Sequence, residues 1–329
     1  MTHEIKKHDW TYIAHIADSE IKFEVIPAEK FNKTPFFHKL FALSPNSVDS
    51  LLGQYIYATH PFQFNDIFDC HEDLIEFDHE DAIRFFITEY ADTLISKEKM
   101  EDMLKNNFKE ISTFVKRNFR EMIYANFGIF SMTSNPESLL MWSYYTNHQG
   151  FFIEYDISKF PFKYHGPFPL NYQEKIDPIS IKECGIPLAV LLQSNLKYKG
   201  WEHENEWRII VESKERMIIP SFEHLKNLGG KERKFNYPIE AIRTVGFGNR
   251  FFPPEELRIE NDKVMHVTLK KDIELKSKIL DFLIANKINT CFAERNGLMK
   301  ISFGGMDISK TNDTTYVFSK ENWVDRRKA

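Results

Sequence analysis

Cysteine is nearly absent: the 329-residue chain holds three, at positions 70, 184 and 291. An odd count at such wide spacing supplies neither a disulfide framework nor a zinc-ligand pattern, and it suits a reducing compartment. Long apolar runs are missing as well. No stretch approaches the roughly 20 residues needed to span a bilayer, and the opening MTHEIKKHDW lacks the apolar region of a secretory signal. The expectation is a soluble, cytoplasmic protein with no membrane contact. Surplus positive charge is lacking too. The net charge of −5 argues against non-specific nucleic-acid binding over the whole surface, and leaves room only for a local basic groove. P-loop, GxGxxG and HExxH patterns are absent, as are internal repeats.

Aromatic residues are what the chain has in quantity. They make up 15% of it, with 30 Phe, and hydrophobic residues reach 42%, enough for a sizeable core. Short alternating runs at residues 20–26, 37–41, 54–59, 127–132, 151–155 and 241–247 predict strands. Ser44 or Ser47 caps a short helix that ends at Gly53. Helical spacing marks residues 79–125, whose polar face carries Lys109, Lys116, Arg117 and Arg120, and also 138–145, 188–196 and 269–286. Asn296-Gly297 predicts a hairpin turn. These elements have no regular βαβ rhythm. The expected fold class is therefore α+β, a mixed, mostly antiparallel sheet with a helical insertion. Residues 1–36 are read as an N-terminal extension, 37–303 as a single domain with the helical insert at about 78–126, and 304–329 as a polar tail with a last strand at residues 316–318.

The densest chemistry lies at residues 199–211, KGWEHENEWRIIV. Glu202, Glu204 and Glu206 stand at spacing two. In an extended chain all three carboxylates project from one side, and His203, Asn205 and Trp207 from the other. Either these acids do chemistry at the start of a strand, or Glu206 pairs with Arg208 at the surface and the others face water. Arg208 in turn either grips a phosphate bidentately or fixes Glu206.

Three further places invite a site. Residues 60–70, HPFQFNDIFDC, set Asn65, Asp66 and Asp69 among phenylalanines. They form either a self-bonded turn or one wall of a pocket. In LLMWSYYTNHQG, residues 139–150, Trp142, Tyr144 and Tyr145 either pack in the core or stack on a base or nicotinamide ring. His148 precedes Gly150 in the following turn, as a surface residue or a catalytic one.

Four blocks together resemble a bacterial family known as domain of unknown function 2971: FNDIFDC, FGIFSMTSNPESLLMWSYYTNHQGFFIEYD, KYKGWEHENEWRII and TVGFGNRFFPPEE. That likeness covers about residues 37–303 and brings no activity with it. A looser likeness of layout is to ADP-ribosyltransferase folds, in which a His- or Tyr-bearing first strand and an aromatic second strand precede a late catalytic Glu. Here His38, Tyr57 and Glu204/Glu206 follow that order. The likeness implies an NAD-dependent intracellular effector of the toxin or antiphage-defence type, acting on a macromolecular acceptor. Glu206, Glu204 and His148 would be catalytic; His38, Tyr57, Asn65, Asp66, Trp142, Tyr145 and Arg208 would hold NAD. Two other readings stay open: a metal-dependent nuclease or phosphodiesterase holding Mg²⁺ on Asp66, Asp69 and Glu206, and a non-catalytic sensor or interaction module.

Overall fold

A computed structural model describes residues 1–18, 20–31, 34–77, 127–213, 231–295 and 300–320, with scattered helical positions between 98 and 126. Most of the helical stretch predicted at 78–126, and the Asn296-Gly297 turn, lie outside the described residues. So do residues 321–329.

The architecture is mixed α and β, with mostly antiparallel sheets. At the N-terminus β1 (Thr2–Lys7), β2 (Trp10–Ala17) and β3 (Glu20–Ile26) form an antiparallel meander. Three short strand pairs flank the centre. They join β5 (Tyr55–Tyr57) with β14 (Lys234–Asn236), β6 (Ile75–Glu76) with β11 (Ile179–Ser180), and β10 (Asn171–Gln173) with β12 (Leu196–Tyr198).

The central sheet has eight strands. They are β4 (Phe36–Phe41), β7 (Phe127–Thr133), β8 (Phe151–Asp156), β9 (Tyr164–Pro169), β13 (Glu206–Glu212), β15 (Ile242–Phe247), β18 (Asn289–Arg295) and β19 (Ile301–Gly305). Their order is β19-β18-β15-β8-β4-β7-β13-β9, and only β15 and β18 run parallel. A four-stranded antiparallel sheet closes the C-terminal part, in the order β16 (Leu257–Asn261), β17 (Val264–Thr268), β21 (Thr315–Ser319), β20 (Asp307–Asn312).

Two cores sandwich the central sheet, and β13 shows how. Trp207, Ile209 and Val211 point into one core, with α1 (Pro45–Leu52) and a C-terminal helix, Ile273–Ala285. Ile210 points into the other, with the N-terminal meander and the helix Ile181–Asn195. Side chains alternate with period two along a strand, so Glu206 and Arg208 share the face of Ile210. Each fully buried aliphatic side chain contributes about 1.5–3 kcal/mol, which fixes the register of this strand firmly.

Local signals match several predicted elements. Ser44 caps α1 in a reciprocal box with Ser47, and Gly53 ends it. The helix predicted from 188 begins at Ile181 and is broken at Gly185, where φ is +72°, ahead of Pro187. The N-terminal residues do more than one predicted strand: Trp10, Tyr12 and Phe23 are buried against the helix Ile181–Asn195. Residues 304–320, expected as a tail, are not loose. Alternation in TYVFS drives Tyr316 and Phe318 into the larger core.

Candidate functional site

Strand β4 pairs with β8 along its whole length but meets β7 only at His38 and Thr133. The two strands part beyond that point, and a cavity of about 210 Å³ opens between them. His38 and Lys39 border it from β4, and Ser131 and Thr133 from β7. Asn65, Asp66 and Asp69 come from the aromatic loop, Tyr145 from the turn after β7, and Lys197, Glu204, Glu206 and Arg208 from the far side. Segments over 100 residues apart in sequence thus line one cleft, the kind of concave site in which a function is sought first.

The acidic stretch does not reach the cleft as a straight strand. Lys199–Glu204 forms a 3₁₀ helix, Asn205 turns left-handed at φ +44°, and β13 begins at Glu206. Asparagine tolerates that conformation better than most residues. The turn is tied to β7, whose Thr133 hydroxyl donates to the Glu204 carbonyl at 2.7 Å. Glu202 consequently points to solvent, while Glu204 and Glu206 are both buried. The prediction of three carboxylates on one extended face is corrected to two, brought together by a turn.

Arg208 and Lys197 neutralise most of this buried charge. The Arg208 Nε donates to Glu206 Oε1 at 2.7 Å. Its Nη1 donates to Asp69 Oδ1 and to the Ser194 carbonyl, both at 2.9 Å, and its Nη2 donates to Asp69 Oδ2 at 2.5 Å. Ser194 lies in the last turn of its helix, where carbonyls need outside donors. The guanidinium fork is therefore filled, and Arg208 has no face to offer a phosphate; it fixes Glu206 instead. The pair is buried, contrary to the exposed pairing expected of it. Lys197 Nζ bridges Glu204 Oε2 at 2.6 Å and Glu206 Oε2 at 2.7 Å, beneath the Trp201 ring.

The two glutamates are driven in opposite directions. Burial raises the proton affinity of Glu206, but Arg208 and Lys197 outweigh it and hold the carboxyl well below its usual range. Burial also raises Glu204, Lys197 opposes, the negative Glu206 adds to the rise, and the net shift is upward. The Tyr145 hydroxyl donates to Glu204 Oε1 at 2.5 Å. Burial, then the neighbouring Glu204, raise the phenol above its ordinary value. Lys39 crosses the notch to donate to the Ser131 carbonyl at 2.9 Å. Burial brings its pKa down to about 8, against the pull of Glu206 and Glu204.

The structure gathers His38, Asn65, Asp66, Tyr145, Glu204, Glu206 and Arg208 around the cavity. His38 approaches Glu154 at 3.6 Å. Asp66 accepts the Phe68 amide at 2.9 Å, so it is both a self-bonded turn and pocket wall. Three predicted residues stand elsewhere. Tyr57 lies outside the cavity lining, its hydroxyl 3.4 Å from the Gln63 side chain. Trp142 is fully buried with its Nε1 on the Pro136 carbonyl at 2.7 Å, because the short helix becomes a π-turn at Trp142–Thr146. No face of its ring is left for a ligand. His148 lies behind that turn, contacting Ser143 at 3.0 Å; burial, then Arg250, lower its pKa. Neither it nor Trp142 borders the cleft.

Lys197 and Lys39 were not anticipated. Lysines inside strand-like runs read as solvent-facing, and the signal for Lys197 is its place three residues before Gly200. The Mg²⁺ assignment does not fit the residues present. Lys197 and Arg208 occupy the oxygens of Asp69 and Glu206, and among the described residues no three His, Cys, Asp or Glu are grouped to hold a metal. Among the described residues no helix is long and apolar enough to cross a membrane. No protein-family model, curated protein or solved structure matches the chain, so the functional reading rests on the cleft's own geometry.

Proposed function

We propose that this cleft catalyses glycosyl transfer from NAD in the manner of an ADP-ribosyltransferase, with Glu204 as the proton-handling residue. The single observation that carries the reading is the divergence of two adjoining carboxylates at one cavity. Glu206, though buried, is held low by Arg208 and Lys197, whereas burial shifts Glu204 upward against the opposing Lys197 and Tyr145 hydrogen bonds. Environments that push two acids apart are how protein sites assign acid and base roles.

NAD, when bound, supplies a nicotinamide–ribose bond whose cleavage leaves positive charge on the ribose and the bonding electrons on the nicotinamide. The chain's own groups suit that demand. Glu204 takes the proton of the incoming acceptor hydroxyl or amine, Tyr145 orients Glu204, and Glu206, paired with Arg208, holds Lys197 beside them. The cavity of about 210 Å³ falls below the roughly 300–1,000 Å³ of drug-sized pockets, so it takes a ribosyl ring rather than a whole dinucleotide. Two further concavities, of about 510 and 420 Å³, share Trp201 with it and offer room for the remainder.

Incubation with NAD, with and without cell extract as acceptor source, should release nicotinamide. Glu204→Gln should lower the release about 10²-fold or more while leaving the fold intact. No release from the native protein under either condition would overturn the reading. The completeness of the Asp69–Arg208–Glu206–Lys197 network favours a second reading, a non-catalytic sensor module in which these acids only build the fold. It predicts that Glu204→Gln leaves the cellular phenotype unchanged.

A further inference from the structure

Beside the central cleft lies a second hollow of about 420 Å³ whose lining is unusual in kind. Tyr144, Tyr145, Tyr198, Trp201 and His203 supply rings, and Asn65 supplies a primary amide. Among the described residues it has no carboxylate, lysine or arginine in its wall, in contrast to the neighbouring cleft. Tyr144 is 69% exposed and Tyr198 53% exposed, so their ring faces meet water rather than core. Gly200 sits under the Tyr198 ring, where a side-chain carbon would come within 2.8 Å of it. The missing side chain lets that ring lie across the hollow.

The chemistry of such a wall is selective. A hydrocarbon chain calls for aliphatic lining, and an ion for a counter-charge. A flat nitrogen heterocycle needs aromatic faces above and below and one amide to read its edge. We propose that this hollow binds the planar ring of a nucleoside-type ligand, a nucleobase or nicotinamide, against the exposed Tyr198 and Tyr144 rings, with Asn65 pairing to its polar edge. Asn65, Tyr145 and Trp201 border both spaces, so a ring held here carries its sugar toward Glu204. The inference rests on the glycosyl-transfer reading for that last placement, and deepens it by naming the group recognised.

The test is calorimetric titration of the full chain with three probes: nicotinamide, adenosine, and benzyl alcohol as a flat ring without the amide edge. Nicotinamide or adenosine should bind, and benzyl alcohol should bind at least tenfold more weakly. Tyr198→Ala and Asn65→Ala should each weaken binding about fivefold or more, and Tyr198→Phe should restore it. Gly200→Ala, which pushes the Tyr198 ring aside, should weaken it without change in thermal unfolding; it stands in if Tyr198→Ala fails to fold. Absence of binding by both heterocycles, equal binding of benzyl alcohol, or indifference to these substitutions would overturn the proposal. Ring binding without nicotinamide release from NAD would keep the subsite and sink the transfer reading. Release that ignores Tyr198→Ala and Asn65→Ala would do the reverse.

Discussion

Two buried ion clusters in this molecule use the same interaction to different ends. Near the C-terminal helix, Glu256 meets Lys276 at 2.9 Å, and its other oxygen accepts the amides of Lys270 and Lys271 at 2.8 and 2.7 Å. One acid meets one base, both carboxylate oxygens accept hydrogen bonds, and the pair borders none of the three cavities described above. At the cleft, three carboxylates, Asp69, Glu204 and Glu206, share two cations, Arg208 and Lys197. Buried ion pairs are weak signs of function by themselves, since a closed pair is only a way to bury charge. A carboxylate in surplus beside a cavity is a stronger sign, because the surplus falls on one group and changes its proton affinity.

The comparison breaks most visibly if its cations are removed. Arg208→Met removes the main partner of buried Asp69 and Glu206, leaving Lys197 to serve both, and should cost about 3–5 kcal/mol of unfolding free energy, read from urea denaturation. Lys276→Met should fall at the lower end of that range, because Glu256 keeps two backbone donors. If Lys276→Met proved the costlier, the cleft network would not be the main electrostatic brace of the fold.

Removing the surplus acid should act on activity and not on the fold. Glu204→Gln should lower nicotinamide release about 10²-fold or more, the range for loss of a general acid–base group. Stability should respond to pH with a definite sign. Folded Glu204 holds its proton more tightly than the unfolded value of 4.5, so it stabilises the fold below pH 4.5. That contribution is lost as pH rises through its higher folded value. Glu206 is opposite: its contribution is present above pH 4.5 and is lost as pH falls toward its lower folded value. Urea midpoints from pH 3.5 to 8 should therefore show Glu204→Gln gaining on the native protein as pH rises, and Glu206→Gln losing. The same sign for both variants would contradict the separation of roles.

Much of this site was legible in the sequence, because several of its parts are short and local. Asp66 in its self-bonded loop, Tyr145 and the Glu204/Glu206 pair were each marked by residue type, and all four border the cleft, although a turn rather than strand spacing brings the two glutamates together. The face shared by Glu206 and Arg208 follows from strand alternation alone. What escaped was long-range. An alternating KGWEHENEW reads as a strand, yet Gly200 and Asn205 let it coil and turn, which sends Glu202 outward and Glu204 in. Lys197 and Lys39 look like surface lysines until β4 and β7 part and partners arrive from elsewhere in the chain. Tyr316 and Phe318 alternate as a strand should, but their polar neighbours in residues 304–314 concealed a sheet whose other half is β16 and β17.

The smallest effect should come from His148, and it separates two sides of one turn. Tyr145 and His148 are three residues apart, yet the first faces the cleft and the second packs behind it on Ser143. His148 has φ +60°, a left-handed conformation that asparagine also adopts readily. His148→Asn should therefore keep the backbone and shift stability by no more than about 0.5–1 kcal/mol. Nicotinamide release should stay within twofold of the native rate across pH 5–8, where an imidazole in the reaction would impose its own titration. Tyr145→Phe, by contrast, removes the donor to Glu204 and should lower release clearly. A large loss in His148→Asn would mean that the turn rearranges to bring the imidazole round into the cleft, and that the division between its two sides is not the one the working protein uses.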